Sequence, residues 1–422
     1  ARVFPIARPS ARITFLLLNL RRLRQTQGHS MRILIATVTA GAGHVAAAAA
    51  LEEAWRALRP ADTVERVDLI QFFSPLHKKI YADGYVQLVE RAPELWGLLF
   101  SKTDNLKVIR RLGKLSRAFP SNSRKKFTHH LIQFKPDAVL CTHFTPLDAL
   151  GLLRQKTEAA VCDRRTSSAS GVATLTERRY NPPFVVSVVT DFEAHALWMN
   201  PCVDLYCVAA VETKARLVAR GAAADNVVAT GIPIAAKFSS RIDSRAVRRT
   251  LGLRDDQPVV LVLSGGFGMG PVAEILAELD KVPQPLQTIV VTGRNEELRR
   301  ALAARTRKHP THVLGFATNM HELMTVADLI LTKPGGLTTS EALALGKPLF
   351  ILNPIPGQEA ANSDFLLERG AAAKVNRVED LPFRIEKLLG SKKLVEMAKA
   401  ARALGQPQSA VAVCREVLKR LG

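Results

Sequence analysis

Three short segments of this chain carry residue types at spacings that suit chemistry. Ser264-Gly265-Gly266-Phe267-Gly268-Met269-Gly270 follows an apolar run and precedes a helical pattern. Glycines in that place let backbone N–H groups approach an anion at the positive end of a helix, which suits a phosphate. No Lys-Ser/Thr pair follows and the spacing is not a strict GxGxxG, so neither a Walker A loop nor a dinucleotide fingerprint is present. Lys333-Pro334-Gly335-Gly336-Leu337-Thr338-Thr339-Ser340-Glu341 also follows a strand pattern and turns the chain into a helix. Its free N–H groups and the Thr338 or Thr339 hydroxyl can hold a diphosphate, and Glu341 can accept from ribose hydroxyls. The third segment, Gly41-Ala42-Gly43-His44, sets an imidazole at a helix start, where in its neutral form it can take a proton from a hydroxyl. Asp191, ending Val188-Val189-Thr190-Asp191, can orient His44, contact a second substrate, or be a solvated turn acid. His143, in another strand-end loop, reads as structural.

Loops of this kind act only when strands and helices hold them level. Residues 31–39 read as a buried parallel strand, leading through the glycine turn into an alanine-rich helix with Leu51, Ala54, Trp55 and Leu58. Apolar runs at 138–141, 184–189 and 205–209 alternate with helical patterns such as 212–220, which predicts a doubly wound parallel sheet. Residues 154–183 break the rhythm and predict a long surface loop. The pattern pauses after Gly231-Ile232-Pro233, then resumes with strands at 259–263, 288–291, 312–314, 329–331 and 348–352. With 422 residues, 47% of them hydrophobic, the chain can build two cores. The expected organisation is a basic extension at 1–30, an α/β domain at 31–240, a second at 241–390, and terminal helices at 391–422 that pack back on the first. Ligands of such sheets lie beyond the carboxyl ends of the strands, where all three segments fall.

A formal net charge of +21 implies an anionic partner. The basic stretches carry few interleaved aromatics and no zinc-finger, RNP or KH signature, which sets nucleic acid aside. An anionic lipid surface fits better. Phe72, Phe73, Tyr81, Tyr85 and Trp96, with leucines around them, run into Lys107, Arg110, Arg111 and further basic residues, a pattern able to insert and attract at once. No apolar run reaches the roughly 20 residues of a spanning helix. The residues before Met31 hold six arginines and no acid, and read as a basic extension on a membrane, or as residues ahead of a native start at Met31 where the first strand begins, rather than as a secretory signal. Five scattered cysteines without CxxC spacing argue against a zinc site or a disulfide framework, and fit a reducing compartment. The protein is therefore expected at the cytoplasmic face of a membrane, peripherally held.

The run GGLTTSEALALGKPLFILNPIPGQEAANS, with GFGMG, VVTGRN, GFATNM and the early GAGHVAAAAAL, resembles the monogalactosyldiacylglycerol synthase and processive diacylglycerol glucosyltransferase family over about residues 31–373. That family is related to the peptidoglycan N-acetylglucosaminyltransferase. The resemblance implies an α/β chain of GT-B fold, two Rossmann-like domains facing a cleft. It implies an inverting transfer of hexose from UDP-galactose or UDP-glucose to diacylglycerol, with no obligatory metal and no cofactor beyond the donor. Donor-binding positions follow at Gly265, Gly266, Gly268, Thr292, Gly293, Phe316, Met320, Gly335, Gly336, Leu337, Thr338, Glu341, Gln358, Glu359 and Asn362. Among them the resemblance puts Phe316 near uracil, Thr338 at phosphate, Glu341 at ribose, and Gln358 with Glu359 at sugar hydroxyls. It makes His44 the base, with Gly43 beside it on the acceptor side. Phe267 departs from the family, standing where relatives often carry a polar or acidic residue, so backbone donors must suffice in that loop. A peptidoglycan-type transferase, a sugar-nucleotide epimerase of the same architecture and a non-catalytic nucleotide-sugar sensor are the competing readings.

Overall fold

The computed structural model describes residues 30–422 except 40, 76, 79–91, 107, 109–120, 167–180, 267, 269 and 353. Tyr81, Tyr85, Lys107, Arg110, Arg111, Phe267 and nearly all of the basic extension lie outside the described residues. Strands β1 (Arg32–Thr37), β2 (Thr63–Asp68), β3 (Ala138–Cys141), β4 (Phe184–Val188), β5 (Leu205–Val208) and β6 (Val227–Ala229) make a parallel sheet in the order β2-β1-β3-β4-β5-β6. Strands β7 (Val259–Leu263), β8 (Gln287–Val291), β9 (Thr311–Leu314), β10 (Leu329–Thr332), β11 (Leu349–Leu352) and β12 (Ala372–Val375) make a second, in the order β12-β11-β10-β7-β8-β9.

Both sheets are covered on each face, so their central strands are apolar on both sides. Ile33 and Ile35 of β1 pack with Trp55 and Val413, while Leu34 and Ala36 pack with Phe127 and Leu150. Val259 and Leu261 of β7 face Ile330 and Leu349, and Val260 and Val262 face Ile275 and Phe350. A continuous apolar run is the signature of such a strand.

The helices that shape the cleft and close the two domains are α1 (Ala42–Leu58), α2 (Pro93–Thr103), α3 (Thr145–Thr166), α4 (Gly336–Ala344), α5 (Gln358–Glu368), α6 (Lys392–Leu404) and α7 (Ser409–Leu421). The loop expected from residue 154 is helical to Thr166. Arg154 is pinned within α3 by two bonds to the Asp204 carboxylate, at 2.9 and 2.8 Å, and one to the Pro183 carbonyl at 3.0 Å. Helix α7 packs on the first sheet through Ala410, Val413, Cys414 and Val417, whereas α6 stays on the second domain with Met397 and Ala401 in its cores.

In each sheet the strand order reverses beside the first strand of the domain, and such a reversal opens a crevice at the carboxyl ends. Ala36 pairs with Cys141 and Cys141 with Ser187, so the loops after β1, β3 and β4 begin level. Leu263 pairs with both Thr332 and Val291, so the loops after β7, β8 and β10 do too. The GAGH turn and both glycine motifs thus rise from the two crevices.

Candidate active site

His44 stands in the first turn of α1. Its Nδ1 lies 2.9 Å from the Thr142 carbonyl oxygen and 2.9 Å from Thr190 Oγ1. A carbonyl oxygen only accepts, so Nδ1 carries the proton and Nε2 keeps the lone pair. The Thr142 hydroxyl donates to the His44 carbonyl at 3.0 Å, locking the same two loops together. Below the base, the buried His143 ring meets His44 edge to face at 4.8 Å, and its Nδ1 accepts the Thr145 N–H at 3.1 Å. His143 therefore supports the base and is structural. Burial lowers the His44 pKa, while the charge of Asp191 and the Thr142 carbonyl oppose the shift. Burial likewise raises the Asp191 pKa against the pull of His44 and of a bond from Asn362. The pair is a neutral imidazole facing a carboxyl group, which is what a general base requires near neutral pH.

Across the cleft, α4 begins at Gly336 with no side-chain cap and no acidic residue in its first turn. The first intrahelical bond of that turn is from Thr339 N–H to the Gly335 carbonyl at 2.9 Å, which leaves the N–H groups of Gly336, Leu337 and Thr338 for an anion. Gly336 is required by closeness: a Cβ there would stand 2.1 Å from the Thr190 carbonyl oxygen. The base and the N-terminus of α4 consequently share one seam, with Leu337 against Gly43.

Gly265, Gly266, Gly293, Phe316, Met320, Thr338 and Glu341 line a cavity of about 110 Å³. It opens into a cleft of about 380 Å³ between α1, at Ala46, Ala49 and Ala50, and the second domain, at Phe316, Met320, Leu337 and Glu341, with Lys237 of the domain connection on its wall. Phe316 is 62% exposed, with the Arg294 guanidinium 5.8 Å from its ring, and offers a flat face for a base to stack on. The Glu341 carboxyl group accepts no hydrogen bond from the described residues, and burial pushes its pKa up to about 8 against the opposing charge of Lys237. Glu359 is raised to about 7 by burial, although its Oε2 accepts the Ile355 N–H at 2.8 Å and Lys333 opposes the shift. A buried carboxyl group placed so keeps an acceptor oxygen for hydroxyl donors from a ligand.

The remaining expected residues are placed as follows. Thr292 is fully buried, with its hydroxyl on the Leu314 carbonyl at 3.1 Å, because it ends a central strand. Asn362 is also fully buried, donating to Asp191 Oδ1 at 3.1 Å and the Pro334 carbonyl at 3.0 Å while accepting Phe192 N–H at 2.9 Å. Both of its N–H groups and one lone pair of its oxygen are used between the domains. Gly268 packs tightly, where a Cβ would stand 2.4 Å from the Thr292 carbonyl oxygen. Phe73 is core, and Phe72 packs beside it against Phe127 and His130, with ring centroids at 5.7 and 5.9 Å. The neighbouring apolar core claims both, leaving neither for a lipid. Trp96 sits half-buried on α2, 6.1 Å from the Phe100 ring. Gly335 caps α4, and Gln358 opens α5.

Reasoning from sequence missed four contributors. Thr142 and Thr190 fix the tautomer of His44. Lys237 reaches the cleft from the domain connection, its ammonium on the Thr318 carbonyl at 2.7 Å. Lys333 approaches the glycine loop, with its Cε 3.5 Å from where a Gly270 Cβ would stand. Only Lys333 had a visible signal, as the residue that opens the Pro-Gly-Gly motif. Among the described residues no group of three or more His, Cys, Asp or Glu is placed to hold a metal, and the four described cysteines are buried and free.

Acinetobacter baumannii MurG shares the fold at TM-score 0.53 and 18% identity, over 93% of this chain and 100% of that one. A calicheamicin glycosyltransferase does so at TM-score 0.56 and 15% identity, over 93% and 99%. Two facing doubly wound domains, with the GAGH turn on one and the glycine loops on the other, define the GT-B fold. Residues 44–162 and 166–234 match the monogalactosyldiacylglycerol synthase model, and residues 259–413 match the glycosyltransferase family 28 C-terminal domain. A processive diacylglycerol beta-glucosyltransferase of Bacillus cereus is 30% identical over 383 residues, which are 90% of this chain and 91% of the relative. The chain belongs to the family of monogalactosyldiacylglycerol synthases and processive diacylglycerol glucosyltransferases.

Proposed function

We propose that this protein transfers a hexose from UDP-glucose or UDP-galactose to the free hydroxyl of diacylglycerol, with inversion at the anomeric carbon. The observation that carries the reading is the tautomer of His44, whose Nδ1–H is spent on the Thr142 carbonyl so that Nε2 keeps the lone pair, beside the seam where Leu337 of α4 meets Gly43. In this reading Nε2 takes the proton of the lipid hydroxyl as its oxygen attacks the anomeric carbon. The bond from that carbon to the diphosphate breaks, and the electron pair leaves with UDP. Developing negative charge on the leaving oxygen meets the N–H groups of Gly336, Leu337 and Thr338 and the Lys333 ammonium. The reading assigns no metal, because these donors meet the charge. Phe316 stacks on uracil, Glu341 accepts from ribose, and Gln358 with Glu359 holds the sugar.

Among the described residues no helix is long and apolar enough to cross a membrane. We assign the lipid contact instead to α2, where Leu95, Leu98 and Leu99 are 49, 51 and 44% exposed and Lys102 follows on the surface. Spacing of three and four residues puts the leucines on one face, and the net charge of +21 favours anionic headgroups at the cytoplasmic side. The test is UDP release and labelled glycolipid from UDP-glucose and UDP-galactose, with and without diacylglycerol in anionic vesicles. Lipid-dependent transfer that is lost in His44→Ala and Glu341→Ala is expected, and the faster donor names the sugar. Turnover of the nucleotide sugar that ignores lipid would overturn the assignment in favour of an epimerase.

A further inference from the structure

Gly97 lies in the middle of α2, where a glycine costs a helix about 1 kcal/mol relative to alanine. The fold must therefore require it, and the requirement comes from the second domain. A Cβ on Gly97 would stand 2.6 Å from the Cβ of Pro356. Three residues on, Phe100 repeats the contact: a Cβ on Gly357 would meet Phe100 Cδ1 at 2.8 Å and Cγ at 2.9 Å. Gly357, with φ at +99°, is the cap from which α5 starts, and α5 opens with Gln358 and Glu359. The turn between Ile355 and Glu359 is closed by the Ile355 N–H on the Glu359 carboxylate at 2.8 Å. Whatever holds Pro356 and Gly357 holds these two side chains.

The other end of α2 belongs firmly to the first domain. Asp104 accepts the Ala196 N–H at 2.7 Å and bonds from Arg220 at 2.6 Å and Arg216 at 3.1 Å. His195 Nδ1 accepts the Leu197 N–H at 3.1 Å, so its Nε2 carries the proton and donates to the Phe100 carbonyl at 2.9 Å. The Phe100 and His195 rings lie 4.3 Å apart. Helix α2 is thus a strut, fixed at its carboxyl end in one domain and bearing with its middle on a turn of the other.

We propose that Gly97 and Phe100 are positioning residues for the donor sugar: they hold the turn at Pro356 and Gly357 and, through it, Gln358 and Glu359. The proposal rests on the donor assignment made under Proposed function. It also means that the helix offered to lipid supports the donor loop, so the two substrates are handled by one element. In steady-state assays on diacylglycerol vesicles, Gly97→Ala raises the KM for the nucleotide sugar about tenfold or more, while the KM for diacylglycerol and vesicle sedimentation stay within about twofold. Pro356→Gly removes the Cβ that conflicts, and Gly97→Ala/Pro356→Gly returns the donor KM to within about threefold of wild type. A purely structural glycine would instead lower the melting temperature in Gly97→Ala and leave the donor KM of the folded enzyme unchanged. Phe100→Leu, which keeps an apolar side chain, raises the donor KM at an unchanged melting temperature, and it stands in should Gly97→Ala unfold. A wild-type donor KM in both Gly97→Ala and Phe100→Leu, with transfer to lipid intact, overturns the proposal alone. Absence of transfer by the wild-type protein removes the donor assignment and the proposal with it.

Discussion

His44 and Glu341 are the two residues at which burial, charge and function pull against one another. Removing the base in His44→Ala lowers kcat about 10²- to 10⁴-fold, the usual share of general base catalysis, and donor affinity measured by titration remains. Because burial lowers the His44 pKa, the acid limb of kcat/KM falls below pH 6.5. The Asp191 charge works against that shift, so Asp191→Asn moves the limb to still lower pH and reduces kcat at neutral pH, where the imidazolium has lost its counter-charge. A limb that stays in place or rises would show that Asp191 does not act on His44. For Glu341 the folded pKa, about 8, lies above its ordinary 4.5. The associated stability is present in full below about pH 4.5 and is lost as pH rises through about 8. Glu341→Gln consequently melts with the wild type near pH 4 and at a higher temperature above pH 8. Above about pH 8, where the wild-type carboxyl group is ionised, the variant also lacks a charged acceptor for ribose, worth about 1.5–3 kcal/mol or roughly 10- to 100-fold in donor affinity, and the difference shrinks as pH falls through 8. Scanning calorimetry across pH and nucleotide titration read the two effects separately.

At the scale of elements, legibility in the sequence followed burial. Central strands such as β3 and β7 are unbroken apolar runs, AVLC and VVLVL, buried along their length, and their bounds can be read directly. The strands that escaped reading, β2, β6 and β12, are all at sheet edges, where TVERVD, VVA and AAKV need only a partly apolar face. Helix α3 past Arg154 escaped for the related reason that its polar composition imitates a loop. The glycine motifs were legible because a helix N-terminus needs its turn and its free N–H groups in one contiguous segment. Thr142, Thr190 and Lys237 were not, since each comes to the site from a different loop and no local pattern marks it. Phe72 and Phe73 misled because an aromatic pair bound for the core and one bound for lipid have the same composition. On the lipid contact proposed above, the leucines that matter are the exposed Leu95, Leu98 and Leu99 of α2. A buried leucine contributes about 1.5–3 kcal/mol, so Leu95→Ser/Leu98→Ser lowers sedimentation with anionic vesicles at least about tenfold. The donor KM measured on any remaining vesicle-bound enzyme stays near wild type, because those side chains point away from Pro356. Unchanged sedimentation would move the lipid contact off this helix.

For the whole molecule the question is what keeps two domains in register around a reacting centre. The chain crosses between them twice, and the crossings touch: a Cβ on Gly231 would stand 2.7 Å from the Gln406 Cβ, and Ser409 Oγ accepts the Ile234 N–H at 3.3 Å. Adjacent crossings make a hinge, which by itself leaves the cleft free to open. Asn362 supplies the opposing restraint. From α5 it binds Asp191 and the Phe192 N–H in the first domain and the Pro334 carbonyl beside the N-terminus of α4, while Phe192 and Phe365 stack at 4.3 Å next to it. One buried amide therefore ties the carboxyl group that faces His44 to the loop from which α4 starts. Asn362→Leu leaves the Phe192 N–H and the Pro334 carbonyl unpaired, at about 1–3 kcal/mol each, and lowers both the melting temperature and kcat. Asn362→Asp instead sets a second carboxyl group about 3 Å from Asp191, and two carboxylates so close cannot both ionise. Their folded pKa values rise above the unfolded ones, so the stability of that variant is retained in acid and lost as pH rises, more steeply than in the leucine variant. Melting temperatures of the two variants that fall in parallel between pH 5 and 8 would show that Asn362 does not hold Asp191. Divergence on the alkaline side, with kcat of the aspartate variant recovering in part as pH is lowered, would establish the tie between base and donor loop through this one side chain.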